Sequence, residues 1–145
     1  MHLRRVHHVS FAVRDLAAAR RFYAGILGLE EIPRPDIGLP GAWFQLGDAQ
    51  VHLIVPPAGA PVDTPPPRLS PVARHAAFEV ADSGVARDAL RVAGVEVLEL
   101  GAEARQLFAT DPDGNVIELI ESGWRPGAAR GPRPSTPVDG GPDPS

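Results

Sequence analysis

The sequence contains neither cysteine nor lysine. All 14 basic residues among its 145 are arginines. The lack of cysteine excludes disulfides, thiolate nucleophiles and zinc sites built on thiolates. The lack of lysine excludes Schiff-base chemistry and a phosphate-binding loop lysine. Histidine, aspartate and glutamate are therefore the side chains left to carry acid–base or metal chemistry.

The chain also lacks a strong positive charge and a long apolar run. Its formal net charge is -4 and its pI is about 5.7. The sequence therefore lacks the excess of positive charge that is typical of proteins that bind nucleic acid. No apolar segment is long enough to span a bilayer, and the first residues are strand-like without an apolar signal region. We therefore expect a cytoplasmic protein that binds neither nucleic acid nor membrane.

The pattern of apolar residues predicts two copies of one structural module. Residues 5–55 show a strand, an amphipathic helix between Asp15 as N-cap and Gly28 as C-terminal stop, and then three strands. Residues 73–121 repeat this order. The repeat has a constant offset of 67 residues, at which His75, Phe78, Val80 and Asp82 match His8, Phe11, Val13 and Asp15. We expect one α+β domain, residues 1–122, in which two βαβββ modules share a core.

Two segments belong to neither module. The connector, residues 56–72, has seven prolines between Pro56 and Pro71, which predicts a stiff, extended link rather than a central strand. The tail, residues 123–145, consists of glycine or proline at 11 of its 23 positions and has little to bury, so we predict that it is disordered.

Four side chains that can bind a metal occupy matching places in the two modules. His75 follows His8 by 67 residues, and Glu118 follows His52 by 66. Each lies within an apolar, strand-like run, where alternation places it on the face opposite the helix-covered one. If the sheet is curved, all four can converge on its concave face. A single histidine in a strand is more often a hydrogen-bonded structural residue, but a buried carboxylate among Val, Ile and Leu must be paired, protonated or metal-bound.

The four residues together favour one divalent metal ion over four separate structural roles. Imidazole and carboxylate ligands suit Zn, Mn, Fe, Co or Ni without selecting among them. Four further side chains are weaker candidates for the wall of a substrate pocket, namely Trp43, Phe44, Phe108 and Arg34. The aromatic residues could equally be core, and the arginine could equally be solvated.

The sequence resembles the vicinal oxygen chelate superfamily, the glyoxalase, bleomycin resistance protein and dioxygenase family. The matching stretches cover both modules: His8-Val-Ser-Phe-Ala-Val-Arg-Asp-Leu, Arg21-Phe-Tyr-Ala-Gly-Ile-Leu-Gly-Leu, His75-Ala-Ala-Phe-Glu-Val-Ala-Asp and Phe108-Ala-Thr-Asp-Pro-Asp-Gly-Asn-Val-Ile-Glu-Leu. The resemblance implies a cup-shaped mixed sheet with helices on its outer face, a divalent metal in the cup, a small-molecule substrate and a homodimer.

Position 52 separates the activities that the resemblance implies. A fourth protein ligand there is typical of glyoxalase I and the epimerases, in which the metal polarises vicinal substrate oxygens and a base moves a proton. Glu118 is the candidate base, and His52 favours this lyase or isomerase type, although the superfamily commonly has Glu or Gln at that position. One alternative is an Fe(II) extradiol-type dioxygenase using His8, His75 and Glu118. Another is a bleomycin-type drug-binding protein that uses the cup as an apolar pocket.

Overall fold

A computed structural model describes residues 1–100 and 105–124 of the chain. The predicted disordered tail lies outside these residues except for Gly123 and Trp124. None of the helices in the described ranges is long and apolar enough to cross a membrane. The elements follow the βαβββ order twice, which confirms the predicted α+β class with two modules.

The first module consists of one helical segment and four strands. Strand β1 leads into helix α1, whose N-cap Asp15 accepts a hydrogen bond from the backbone N–H of Ala18, as the sequence predicts. The helix then widens into a π-helical segment and ends before Gly28, whose φ of 72° lies in the left-handed region. The bounds are β1 His8–Ala12, α1 Leu16–Arg20, π-helix Arg21–Ile26, β2 Glu30–Ile32, β3 Gly41–Leu46 and β4 Ala49–Ile54.

The second module repeats this arrangement, but its α-helix is longer and the strand after the helix is shorter. Asp82 caps helix α2 by accepting hydrogen bonds from the backbone N–H groups of Gly84 and Val85. The strand that follows this helix has only two residues. The bounds are β5 His75–Val80, α2 Ser83–Val92, β6 Leu98–Glu99, β7 Gln106–Thr110 and β8 Val116–Glu121.

Each module forms its own four-stranded mixed sheet. The strand orders are β1-β4-β3-β2 and β5-β8-β7-β6, and in each sheet the first and last strands of the module pair in parallel. The other pairs are antiparallel. The predicted cup is thus made of two separate sheets, and it is not closed into a barrel.

One hydrophobic core takes residues from both modules. Its largest side chains with almost no exposure include Tyr23, Phe44 and Leu53 from the first module and Leu107 and Ile117 from the second. Burial of apolar surface of this kind is the main stabilising contribution to the fold. The core lies on the helix-covered side of both sheets, and the four candidate ligands lie on the other faces.

A buried polar network joins the modules at one end of the core. The Tyr23 hydroxyl donates to Asp111 Oδ2 at 3.0 Å, and the Asn115 side chain donates both to that carboxylate at 2.8 Å and to the Ala12 carbonyl at 3.0 Å. Burial raises the pKa of Asp111, although its hydrogen bonds with Asn115, Tyr23 and the Asp113 backbone oppose the shift. The turn between β7 and β8 is therefore fixed against the first module.

Candidate metal-binding pairs on the open sheet faces

The register of each parallel strand pair brings two candidate ligands together. His8 lies opposite Gln50, and His52 follows two residues later on the same face. His75 lies opposite Val116, and Glu118 again follows two residues later. Each module therefore presents one ligand from its first strand and one from its last, as diagonal neighbours.

The pair in the second module, His75 and Glu118, has the geometry of two ligands of one cation. His75 Nε2 lies 3.1 Å from Glu118 Oε2, and the two side chains are 27% and 8% exposed. His75 Nδ1 donates to the Ala73 carbonyl at 2.7 Å, and Gln106 donates to the other oxygen of Glu118 at 2.8 Å. Hydrogen bonds of this kind orient the ligands in metal sites and fix the tautomer of a histidine. They leave Nε2 and Oε2 facing each other.

The pair in the first module, His8 and His52, is held by stacking. The two imidazole rings lie 4.2 Å apart and nearly parallel, and the other face of His52 stacks on Trp43 at 4.1 Å. His52 Nε2 lies 2.8 Å from Gln50 Oε1, and His8 Nδ1 lies 3.0 Å from His7 Nδ1. The first pair is thus an aromatic stack in which one nitrogen of each ring already has a polar neighbour.

The pKa of His52 is lowered, so that the neutral imidazole is favoured. Burial is the largest cause, and the positive charges of protonated His8, protonated His7 and Arg34 add to it. A histidine must be neutral to ligate a metal, and this environment meets that condition.

One chain brings the four predicted ligands together as two pairs and not as one group. Within residues 1–100 and 105–124, no three His, Cys, Asp or Glu side chains gather closely enough to hold a metal ion. The spacing of the sequence predicts the two faces correctly, but convergence of all four ligands within a single chain is not what the structure shows.

The four predicted pocket residues have different positions. Trp43 stacks on His52, and Phe108 meets His75 edge to face at 5.3 Å. Phe44 instead lies in the core, fully buried and 6.0 Å from the Tyr23 ring, because consecutive strand residues point to opposite faces. Arg34 donates to the Leu39 carbonyl at 2.9 Å, and its charge reaches His52.

The sequence analysis missed Gln50 and Gln106, which contact His52 and Glu118. For Gln50 a signal exists, since it lies two residues before His52 on the same face of the strand. Gln106 lies on the neighbouring strand β7, so its contact with Glu118 depends on a register that only the structure gives.

An open cleft of about 870 Å³ lies beside the second pair. It is bordered by β1, by the start of β5 and by the connector, and His75 is among its lining residues. The predicted extended connector therefore forms a wall of the cleft, with Pro65 in close contact with Gly114. The cleft gives a small molecule access to His75.

Comparison with known proteins decides the family. The model of the Glyoxalase/Bleomycin resistance protein/Dioxygenase superfamily matches residues 5–119, which include both modules and all four candidate ligands. The chain belongs to this superfamily. The resemblance seen in the sequence is therefore confirmed.

Relatives within the superfamily include two curated proteins and one solved structure. The chain is 32% identical over 126 residues to Glyoxylase I 4 of Arabidopsis thaliana, covering 82% of this chain and 71% of that protein. It is 31% identical over 132 residues to an ethylmalonyl-CoA/methylmalonyl-CoA epimerase of Cereibacter sphaeroides, covering 79% and 96%. A glyoxalase family protein from Bacillus anthracis superposes with a TM-score of 0.68 at 29% identity, covering 83% and 97%. These names indicate an enzyme of the superfamily.

The lowered pKa of His52 predicts a specific dependence of stability on pH. Because the pKa is lower in the folded than in the unfolded protein, neutral His52 stabilises the fold above the ordinary value of 6.5. That contribution is lost as the pH falls through the folded-state pKa. Urea unfolding of metal-free protein between pH 8 and pH 5 should therefore show a smaller loss of stability on acidification for His52→Gln than for the unmodified protein.

The matched control is His2→Gln, because His2 is an exposed histidine near the N-terminus. This variant should retain the pH dependence of the unmodified protein. An equal pH dependence in all three proteins would show that burial and the neighbouring charges do not lower the pKa of His52.

Proposed function

We propose that this protein is a divalent-metal-dependent enzyme of the glyoxalase I and epimerase type, which moves a proton at a carbon atom beside vicinal oxygens of a small substrate. The observation that carries the proposal is the second pair, in which His75 Nε2 faces Glu118 Oε2 at 3.1 Å. The names of the Arabidopsis and Cereibacter relatives, a glyoxalase and an epimerase, support the same reaction class.

The donor set of the second pair fits a cation. His75 uses its Nδ1 proton for the Ala73 carbonyl, so Nε2 carries a lone pair unless the ring is protonated. A lone pair and a carboxylate oxygen are both acceptors, and they stay in contact only if a proton or a metal ion lies between them. Both groups, with neutral His52, are ligand types that Zn, Mn, Fe, Co and Ni accept.

We assign the binding of the metal to His8, His52, His75 and Glu118. Since these form two pairs within one chain, we propose that a homodimer completes each site, with His8 and His52 of one copy and His75 and Glu118 of the other. Two features support this arrangement: both pairs lie on sheet faces opposite the shared core, and no group of three ligands forms in the described part of a single chain. A twofold axis would generate two equivalent sites.

A bound divalent ion would act as a Lewis acid on adjacent substrate oxygens. The proton transfer itself falls to Glu118. Gln106 donates to Oε1 and orients the carboxylate, and Oε2, which faces His75 Nε2, is the oxygen that would accept a proton from the substrate carbon. Phe108 lies directly opposite Glu118 on the neighbouring strand, and the Glu118 side chain is only 8% exposed, so little water reaches the carboxylate.

A second candidate is an Fe(II) dioxygenase that uses His8, His75 and Glu118 alone. The contacts of His52 favour this candidate, because a histidine that stacks on two rings and bonds to Gln50 has a role without a metal. Three ligands would then remain. Such an enzyme would keep its metal in the His52→Ala variant, whereas a four-ligand site would lose most of its affinity.

Replacement of Glu118 by Gln tests the leading proposal. The variant removes the base and replaces an anionic ligand with a neutral one, so Co²⁺ affinity should fall at least about tenfold. Incorporation of solvent deuterium into methylmalonyl-CoA, or formation of lactoylglutathione, should fall by about 100-fold, whichever reaction the unmodified protein catalyses. Isothermal titration gives the metal affinity, and NMR or mass spectrometry gives the exchange.

Glu96→Gln is the matched control, because Glu96 is an exposed carboxylate between α2 and β6, outside the strands that carry the candidate ligands. It should bind about one Co²⁺ per chain, as the unmodified protein does. The proposal fails if the unmodified protein binds no Co²⁺, or if Glu118→Gln binds it as tightly as Glu96→Gln.

Mixing two defective variants tests the proposed completion of the site by a second copy. His52→Ala and Glu118→Gln should each lose tight Co²⁺ binding. After joint unfolding and refolding, a mixed dimer has one site with both defects and one with neither, so roughly a quarter of all sites should be restored under random pairing. No restoration would mean that each site is built within one chain.

A further inference from the structure

Arg34 carries a positive charge that has no counter-charge in the part of the chain that the structure describes. It lies in the loop after β2 and is half-buried. Among the ion pairs formed within residues 1–100 and 105–124, none includes Arg34. Its Nη2 donates to the Leu39 carbonyl at 2.9 Å, while its Nε is buried without a hydrogen-bond partner. Buried donors of this kind are rare, since an unmet hydrogen bond is destabilising.

Trp43 has a second donor without a partner on the same part of the sheet. Its Nε1 is also buried and makes no hydrogen bond. Trp43 lies opposite His52 on one side and opposite Ile32 on the other, and Arg34 follows Ile32 by two residues. The charge of Arg34 is close enough to His52 to help lower the pKa of that histidine. Two unmatched donors therefore flank the first metal-binding pair.

An anionic oxygen group is the ligand that both donors favour. A guanidinium group binds a planar carboxylate through two parallel hydrogen bonds, whereas the compact ammonium group of a lysine does not offer this paired geometry. The Leu39 carbonyl fixes one nitrogen of Arg34 and so holds the plane of the group in place. Desolvation strengthens the attraction between this cation and an anion.

We propose that Arg34, with Trp43 beside it, binds a carboxylate group of the substrate next to the His8 and His52 pair. This inference rests on the proposed function and narrows its substrate to small molecules that carry an anionic oxygen group near the reacting carbon. Arg34 is on this view a specificity-determining residue, which selects anionic over neutral substrates.

Malonate provides a direct probe, because it is a small dicarboxylate with a neutral analogue, malonamide. In metal-free ¹⁵N-labelled protein at constant ionic strength, malonate should shift the indole N–H resonance of Trp43 and the Nε–H resonance of Arg34, and malonamide should not. The two tryptophans, Trp43 and Trp124, are distinguished with the variant Trp124→Phe.

Arg34→Gln should weaken malonate binding at least about tenfold, the scale of one charge-assisted hydrogen bond. Arg34→Lys should bind with intermediate affinity.

Arg68→Gln is the matched control, since it removes the same charge from an exposed arginine in the connector. It should bind malonate as the unmodified protein does. The inference would be overturned if the unmodified protein did not bind malonate, or if Arg34→Gln bound malonate equally well. It would also be overturned if malonamide bound as tightly as malonate.

The same samples separate this inference from the proposed function. Arg34→Gln should still bind Co²⁺ at pH 8, where His52 is neutral with or without the charge of Arg34, because Arg34 is not a ligand. If the unmodified protein bound malonate through Arg34 but bound no Co²⁺, the metal-dependent function would fail while the anion site remained. If it bound Co²⁺ but not malonate, only the anion site would fail.

Discussion

The parallel pairing of the first and last strand in each module is the constraint on which the site depends. In both modules it places the candidate ligand of the last strand two residues beyond the partner of the candidate ligand in the first strand. Because side chains alternate along a strand, the two ligands share a face and become diagonal neighbours. A shift of one residue in either register would turn the ligand of the last strand into the core. The same register keeps Val51 and Ile117 buried on the other face.

The shared core determines how the two ligand pairs are oriented. The modules pack through the helix-covered faces of their sheets, and the Tyr23–Asp111 hydrogen bond fixes their ends. Since this packing commits one face of each sheet to the interior, the ligand-bearing faces are left for contacts outside the core. The arrangement of two pairs in one chain thus follows from the way the hydrophobic surface is buried. It is also the reason for proposing a second copy in the complete site.

The sequence predicts the local structure of this protein better than the assembly of its site. Strong local signals predict the N-cap at Asp15 and the helix end at Gly28. The π-helical widening of the first helix was not predicted, since apolar spacing does not report which carbonyl each N–H selects. Alternation shows which face carries a ligand, but it holds no information on the relative orientation of two modules. The division of the four candidate ligands into two pairs therefore could not be predicted from the sequence.

A crystal structure of the Co²⁺-loaded protein, with anomalous diffraction to locate the ion, tests the central claim most directly. We predict a cobalt ion about 2 Å from His75 Nε2 and from Glu118 of one chain, and bound as well by His8 and His52 of a second chain. A cobalt ion held by other residues, or a dimer in which the two ligand-bearing faces do not meet, would contradict it.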